Sequence, residues 1–213
     1  MIKACIFDLD GVIVDTARYH FLAWRRLSHE LGVDLSEKDN EKLKGVSRMQ
    51  SLQIILDMGK VNITKDRKES LANRKNEWFV EYVEAMKPDE IFPGVKQLIS
   101  SIRKKKMKVA LASSSKNAPR VLELLGIRDL FDVIVDGSMI IDTKPDPEIF
   151  LLTAQKLNIQ PKDCLVFEDA EAGVEAAIRA GMKCVGVGSE NLSKATRVVA
   201  KTADFKIEDL ASI

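Results

Sequence analysis

The chain has 213 residues, with 33 Lys and Arg against 32 Asp and Glu and a formal charge of +1, so it lacks the basic excess that a nucleic-acid-binding surface needs. At 46% hydrophobic and 31% charged residues it has the composition of a globular protein, which excludes disorder as its main state. At roughly 100 to 200 residues per domain the length allows one large domain or two small ones.

The first apolar run, Ile2 to Phe7, breaks off at Asp8 and Asp10. It is too short for a helix and reads as a buried strand. It also lacks the basic leader and the length of a secretory signal, so a cytoplasmic location is expected. Residues 17 to 87 then show helical spacing and no convincing strand. His20, Trp24, Leu27 and Leu31 share one helical face that Gly32 can end. Ser47 with Gln50 three residues on is a capping box, opening a helix through Leu52, Ile55 and Leu56 with Gly59 after it. A longer helix is expected from Thr64 to about Ala85, with Pro88 and Pro93 marking its end.

From Val95 onward strand-like runs alternate with helical patterns. The runs are 108–112, 132–135, 164–167 and 183–187. Val95, Leu98, Ile99 and Ile102 precede the first of them; Val121, Leu122, Leu124 and Leu125 follow it, with Gly126 placed to end that helix. This alternation predicts an α/β fold, a doubly wound, Rossmann-like parallel sheet. The long helical stretch then reads as an insert: residues 1–15 and 88–213 form a discontinuous core and 16–87 a helical domain. Between 16 and 88 there are 14 basic and 11 acidic residues, so a mildly positive insert faces a mildly negative core.

Cys5, Cys164 and Cys184 each fall in a strand-like run and are expected to be reduced, buried thiols. No stretch approaches the roughly 20 apolar residues of a membrane-spanning helix.

Asp8-Leu9-Asp10-Gly11 ends the first strand and Glu168-Asp169 ends the fourth. In open α/β sheets ligands bind beyond the carboxyl ends of the strands, where four carboxyl groups repel one another unless a cation or protons relieve them. Oxygen donors without Cys or His favour Mg²⁺ over zinc. Ser113-Ser114-Ser115-Lys116-Asn117 follows the second strand and could hold phosphate through hydroxyls and N–H groups. Lys144, among the prolines of Thr143-Lys144-Pro145-Asp146-Pro147, could offset the charge of a transferring phosphoryl group. Each of these segments alone is also an ordinary loop.

Taken in order, Phe7-Asp8-Leu9-Asp10-Gly11-Val12, Ala112-Ser113-Ser114-Ser115, Lys144-Pro145-Asp146-Pro147 and Phe167-Glu168-Asp169 with Gly173 resemble the four motifs of the haloacid dehalogenase-like superfamily. The helical insert is similar to its all-α C1 cap. Within the superfamily, Thr16 to Trp24, Leu43 to Arg48 and Arg74-Lys75-Asn76 look like the mutase branch, which interconverts β-glucose 1-phosphate and glucose 6-phosphate through a bound glucose 1,6-bisphosphate. A Mg²⁺-dependent sugar-phosphate phosphatase shares every core motif and is the alternative.

The resemblance implies roles for particular residues. Asp8 is the nucleophile and Asp10 the general acid and base. Asp8, the Asp10 carbonyl and Asp169 hold one Mg²⁺, with Glu168 a direct or water-mediated ligand. Ser113, Ser114 and Lys144 surround the transferring phosphoryl group, and Arg48, Ser115, Lys116 and Asn117 take the other phosphate. Gly45, Val46, Trp24 and Lys75 are implied substrate- or phosphate-binding residues, as is His20, which would couple the cap to the site near Asp10. By spacing alone His20 could equally be a core histidine, and Lys75 a lysine snorkelling past an apolar face. Hinges are expected near Val14 to Thr16 and Lys87 to Ile91. The expected partners are small sugar phosphates, with neither nucleic acid nor membrane, and the expected state is a monomer.

Overall fold

The computed structural model describes residues 1–43, 46–188 and 191–213. β1 (Ala4–Phe7) is followed by four helices, α1 (Ala17–Glu30), α2 (Glu37–Asn40), α3 (Arg48–Gly59) and α4 (Lys65–Val83). The chain then alternates: α5 (Val95–Lys104), β2 (Lys108–Ser113), α6 (Ala118–Leu124), β3 (Val133–Asp136), α7 (Glu148–Leu157), β4 (Cys164–Glu168), α8 (Glu171–Arg179), β5 (Lys183–Val187) and β6 (Arg197–Val199). The six strands are parallel in the order β3-β2-β1-β4-β5-β6. β1 lies at the centre, with Ile6 level with Ala110 on one side and Val166 on the other.

Burial on both faces explains the near-continuous apolar strands. Cys5, Phe7, Leu111 and Phe167 pack with Val95, Leu98 and Ile102 of α5 and with Val121 and Leu122 of α6. Ala4, Ile6, Ala112 and Val166 pack on the opposite face with Ile149 and Phe150 of α7 and Val174 and Ala177 of α8. All three cysteines are buried and free. None of the described helices is long and apolar enough to cross a membrane.

The helical insert has its own core of Trp24, Leu27, Leu52, Ile55, Leu56 and Leu71. Phe79 and Val83 of α4 instead join the sheet-side core, so the far end of the longest cap helix is anchored to the sheet domain. The two connections between the parts run side by side. Val14 bridges Ile91 in antiparallel fashion, and Phe92 N–H donates to the Ile13 carbonyl at 2.8 Å.

The expected capping box is present: Gln50 N–H donates to Ser47 Oγ at 3.2 Å and Ser47 N–H to Gln50 Oε1 at 2.9 Å. Several boundaries differ from the sequence reading. α4 stops at Val83 rather than near Ala85, and the third strand runs one residue later, from Val133 to Asp136. β6 was not expected; its three residues are too few for a periodic signal.

Gly59 was placed after its helix, but it is the last helical residue, and Lys60 takes the left-handed conformation at φ 51°. Glycine is needed there for space, because a Cβ would meet Val33 Cγ2 at 2.2 Å. Gly59→Ala is therefore expected to lower stability by about 1–3 kcal/mol, the usual cost of overpacking. Urea unfolding checks it; an unchanged midpoint would mean that the Val33 loop yields freely.

Candidate active site

The parallel sheet delivers its functional groups to one edge, because β1, β2, β3 and β4 all point their carboxyl ends the same way. Asp8 follows β1, Ser113 ends β2, Asp136 ends β3 and Glu168 ends β4. α1, α3 and α4 cover this edge and close a cavity over it. Asp8, Asp10, His20, Trp24, Val46, Arg48, Lys75, Ser113, Ser114, Ser115, Lys116, Asn117 and Asp169 all line that cavity. Of the other residues picked out from the sequence, Gly45 lies outside the described residues, while Lys144 and Glu168 sit beneath the cavity floor.

Lys144 is fully buried. Its ammonium donates to Asp8 Oδ1 at 2.5 Å, to Glu168 Oε1 and to the Ala112 carbonyl at 3.4 Å. Burial works against this charge, but Asp8 and Glu168 outweigh it and hold the ammonium above its ordinary pKa. Glu168 spends its other oxygen on the Ala170 N–H at 3.0 Å, and its carboxyl group rests on Gly173, where a Cβ would come within 1.9 Å of Oε1. With both oxygens engaged and none of the residue exposed, Glu168 supports Lys144 from beneath the rim.

Asp8 keeps one oxygen on Lys144 and accepts the Asp10 N–H on the other at 3.0 Å. Asp10 has a buried Oδ1 with no hydrogen-bond partner. Burial, then the neighbouring Asp8 charge, push its carboxyl up to about 8, a range in which a carboxylic acid can donate a proton at neutral pH. Gly11, at φ +72°, lets the turn bring the loop against Asp169, where a Cβ would meet Asp169 Oδ2 at 2.1 Å. Two carboxylates and a turn of main chain thus crowd one corner. Among the described residues no trio of His, Cys, Asp and Glu side chains forms a metal cage. An all-oxygen corner of this kind fits Mg²⁺, which takes one or two carboxylates and completes its shell with water and phosphate.

The β2 loop is set by short side-chain turns. Ser115 N–H donates to Ser113 Oγ at 3.2 Å and Asn117 N–H to Ser115 Oγ at 3.3 Å. The β3 loop packs directly on it: a Cβ on Gly137 would lie 2.1 Å from the Ser114 carbonyl oxygen.

On the cap side, Lys75 is only 2% exposed, which removes the snorkelling reading. Its ammonium lies 2.7 Å from His20 Nδ1 and above the rings of Trp24, at 4.5 Å, and Phe79, at 5.0 Å. Burial first, then the Arg48 charge, depress the Lys75 ammonium well below its usual range. Burial and the Lys75 charge likewise keep His20 neutral. A neutral ring that accepts from lysine at Nδ1 carries its own proton on Nε2. His20 also stacks on Phe79 with centroids 3.9 Å apart, so it is both a packed core residue and part of the cavity wall.

Besides the pairing of Arg18 and Tyr19 with Glu90 beside the connections, further contacts cross from cap to core. Asn117 Nδ2 donates to Asn76 Oδ1 at 2.7 Å, Thr143 Oγ1 to Gln50 Oε1 at 2.5 Å, and Arg120 Nε to Glu84 Oε1 at 3.0 Å. Sequence reasoning missed Asn40, Leu43, Ser51, Gly137 and Thr143 as lining residues. Thr143, beside Lys144, and Leu43, at the start of the Leu43 to Arg48 segment, carried signals that could have flagged them.

A family model described as a haloacid dehalogenase-like hydrolase matches residues 2–181. The chain is 43% identical over 209 residues to a β-phosphoglucomutase of Bacillus subtilis, spanning 97% of this chain and 92% of that protein. It is 34% identical over 219 residues to a phosphorylated carbohydrates phosphatase of Thermotoga maritima, spanning 99% and 97%. A crystal structure of β-phosphoglucomutase from Clostridium difficile matches it with a TM-score of 0.96 at 45% identity, over 100% of this chain and 96% of that one.

Proposed function

The chain belongs to the haloacid dehalogenase-like hydrolase family, and from that premise we propose that it interconverts β-glucose 1-phosphate and glucose 6-phosphate by way of β-glucose 1,6-bisphosphate. The observation that carries the reading is a cavity lined by two separate sets of phosphate-binding groups. One is Asp8, with the buried Lys144 behind it; the other is Arg48 and Asn117, joined through Asn76, with Lys116 and Lys75 also in the lining. A substrate with a phosphate at each end matches this distribution of charge, and a covered cavity keeps water from competing with the sugar.

In the proposed reaction an Asp8 oxygen attacks the phosphorus in line, the bond to the sugar oxygen breaks, and Asp10 gives that oxygen its proton. An aspartyl phosphate and a sugar hydroxyl result. Glucose 6-phosphate, freed from the bisphosphate in this way, leaves, and β-glucose 1-phosphate enters with its 6-hydroxyl toward Asp8. Asp10 takes that hydroxyl's proton as its oxygen attacks the phosphorus, and the bond to Asp8 breaks to re-form the bisphosphate, which turns over before the next cycle. Lys144 anchors the nucleophile and offsets charge on the transferring group, with Ser113 and the Ser114 amide around its oxygens. Asp8, Asp169 and the Asp10 carbonyl would hold Mg²⁺, which when bound supplies further neutralisation of phosphoryl charge. Positioning worth roughly 10⁵ M or more in effective concentration lets a held hydroxyl outcompete water.

The test is to incubate the protein with Mg²⁺, β-glucose 1-phosphate and a trace of the bisphosphate, and to assay glucose 6-phosphate against free phosphate. Isomerisation faster than phosphate release supports the mutase; the reverse supports a sugar-phosphate phosphatase. Arg48→Ala is expected to lower mutase turnover by roughly 10²-fold through lost bidentate phosphate binding. Hydrolysis of a small monoester such as p-nitrophenyl phosphate should be unchanged. Equal losses in both assays would remove Arg48 from the distal phosphate.

A further inference from the structure

Asn76 was singled out only as part of the Arg74-Lys75-Asn76 segment and given no role of its own, and it lies between two residues that were given one. Its Oδ1 accepts one hydrogen bond from Arg48 Nη2 and another from Asn117 Nδ2, each at 2.7 Å. The assignment of that oxygen is fixed by chemistry: a guanidinium can only donate, so Asn76 must turn its carbonyl toward Arg48, and Asn117 must then offer its NH₂. The two donors come from opposite sides of the cleft. Arg48 is the first residue of α3 on the cap, and Asn117 caps α6 on the core.

Arg48 is half-buried, and burial alone pushes its guanidinium down from its ordinary pKa. Among the described residues it makes no ion pair. A partly desolvated cation is therefore met by a neutral amide oxygen, the weaker of the acceptors it could have, since charge-assisted bonds to phosphate are roughly twice as strong. Both donors are also held independently of Asn76. The Ser47 and Gln50 capping box fixes the start of α3, and Asn117 is tied to Ser115 Oγ through its own N–H at 3.3 Å.

We propose that the Asn76 side-chain carbonyl is a built-in placeholder for an oxygen of the distal phosphate, joining Arg48 to Asn117 across the cleft until substrate displaces it. The inference rests on the two-phosphate reading given above and adds a positioning residue to it. The neutral amide makes the placeholder weak enough to be displaced. A carboxylate at the same point would form a lasting ion pair with Arg48 and repel the incoming dianion.

Asn76→Asp and Asn76→Ala separate this role from a structural one. The apparent KM for β-glucose 1,6-bisphosphate should rise by about tenfold or more in Asn76→Asp, and by at most about threefold in Asn76→Ala. Hydrolysis of p-nitrophenyl phosphate, which has a single phosphoryl group and no distal one, should stay within about twofold of wild type in both. An Asn76→Asp protein with wild-type KM for the bisphosphate overturns the proposal. So does an Asn76→Ala protein that loses as much as Asn76→Asp, because the residue would then be supporting the site rather than standing in for its ligand. Wild-type protein that only releases phosphate from β-glucose 1-phosphate is a failure of the mutase reading instead, and leaves the comparison between one-phosphate and two-phosphate substrates readable.

Discussion

Asp8→Asn is expected to lower kcat by roughly 10⁴-fold or more, the scale seen when a covalent nucleophile is removed. The variant should nevertheless stay folded. Asn fills the same volume, and its amide oxygen can still accept a hydrogen bond from Lys144 or from the Asp10 N–H, the two partners that Asp8 has now. It lacks the negative charge and the nucleophilic oxygen. Removing that charge also relieves Asp10, whose raised pKa owes more to Asp8 than to any other neighbouring group. The unfolding midpoint should thus equal or exceed that of wild type while turnover disappears. Intact-protein mass spectrometry after incubation with the bisphosphate gives an independent reading: wild type should gain one phosphoryl mass and Asp8→Asn none. Turnover near the wild-type rate in the variant would sink covalent catalysis at this position.

The parts of the molecule that could be read from sequence are those in which one local rule dominates. β1, β2, β4 and β5 are short apolar runs that stop at a polar residue or a glycine, and burial on both faces gives them no other fate. The Ser47 and Gln50 capping box is two residues at a fixed spacing and forms as read. Where two effects compete, sequence reasoning slips. Gly59 looks like a helix terminator, yet its absence of a side chain serves a contact with Val33, 26 residues earlier in the chain, which no local pattern encodes.

The same limit explains what was and was not visible of the site. Asp8, Asp10, Ser113 and Lys144 lie within or beside short motifs at strand ends, so chain order alone brings them to one edge. Glu168 shares that strand-end position with Asp169, and sequence offers no way to tell the two apart. Gly173 decides it, by giving the Glu168 carboxyl group room to lie inward against Lys144, while Gly11 admits the Asp169 carboxylate at the turn after β1. Asn76 is harder still. It is a half-buried amide on a charged helix, and its meaning comes from two donors 28 positions earlier and 41 positions later in the chain.

Lys144→Met should remove activity and destabilise the fold together, by about 3–5 kcal/mol for the loss of one partner in a buried ionic cluster. In wild type a single ammonium, with none of its surface exposed, answers two carboxylates that are 8% and 1% exposed. Methionine matches the volume but leaves Asp8 and Glu168 as neighbouring buried charges with no cation from the protein. The cost therefore comes from the survivors rather than from the lost bonds, which makes it separable by a second substitution. Lys144→Met combined with Glu168→Gln removes one of the stranded charges and keeps an oxygen for the Ala170 N–H. The double variant should recover a large part of the lost stability in urea unfolding, yet remain without activity, because Asp8 is still unanchored and the transferring phosphoryl group still lacks its lysine. If the double variant were less stable than Lys144→Met alone, Glu168 would be contributing something other than charge to balance Lys144, and its place beneath the cavity would need another explanation. If it regained activity, Lys144 would be a structural residue and the transfer of phosphoryl charge would be managed without it.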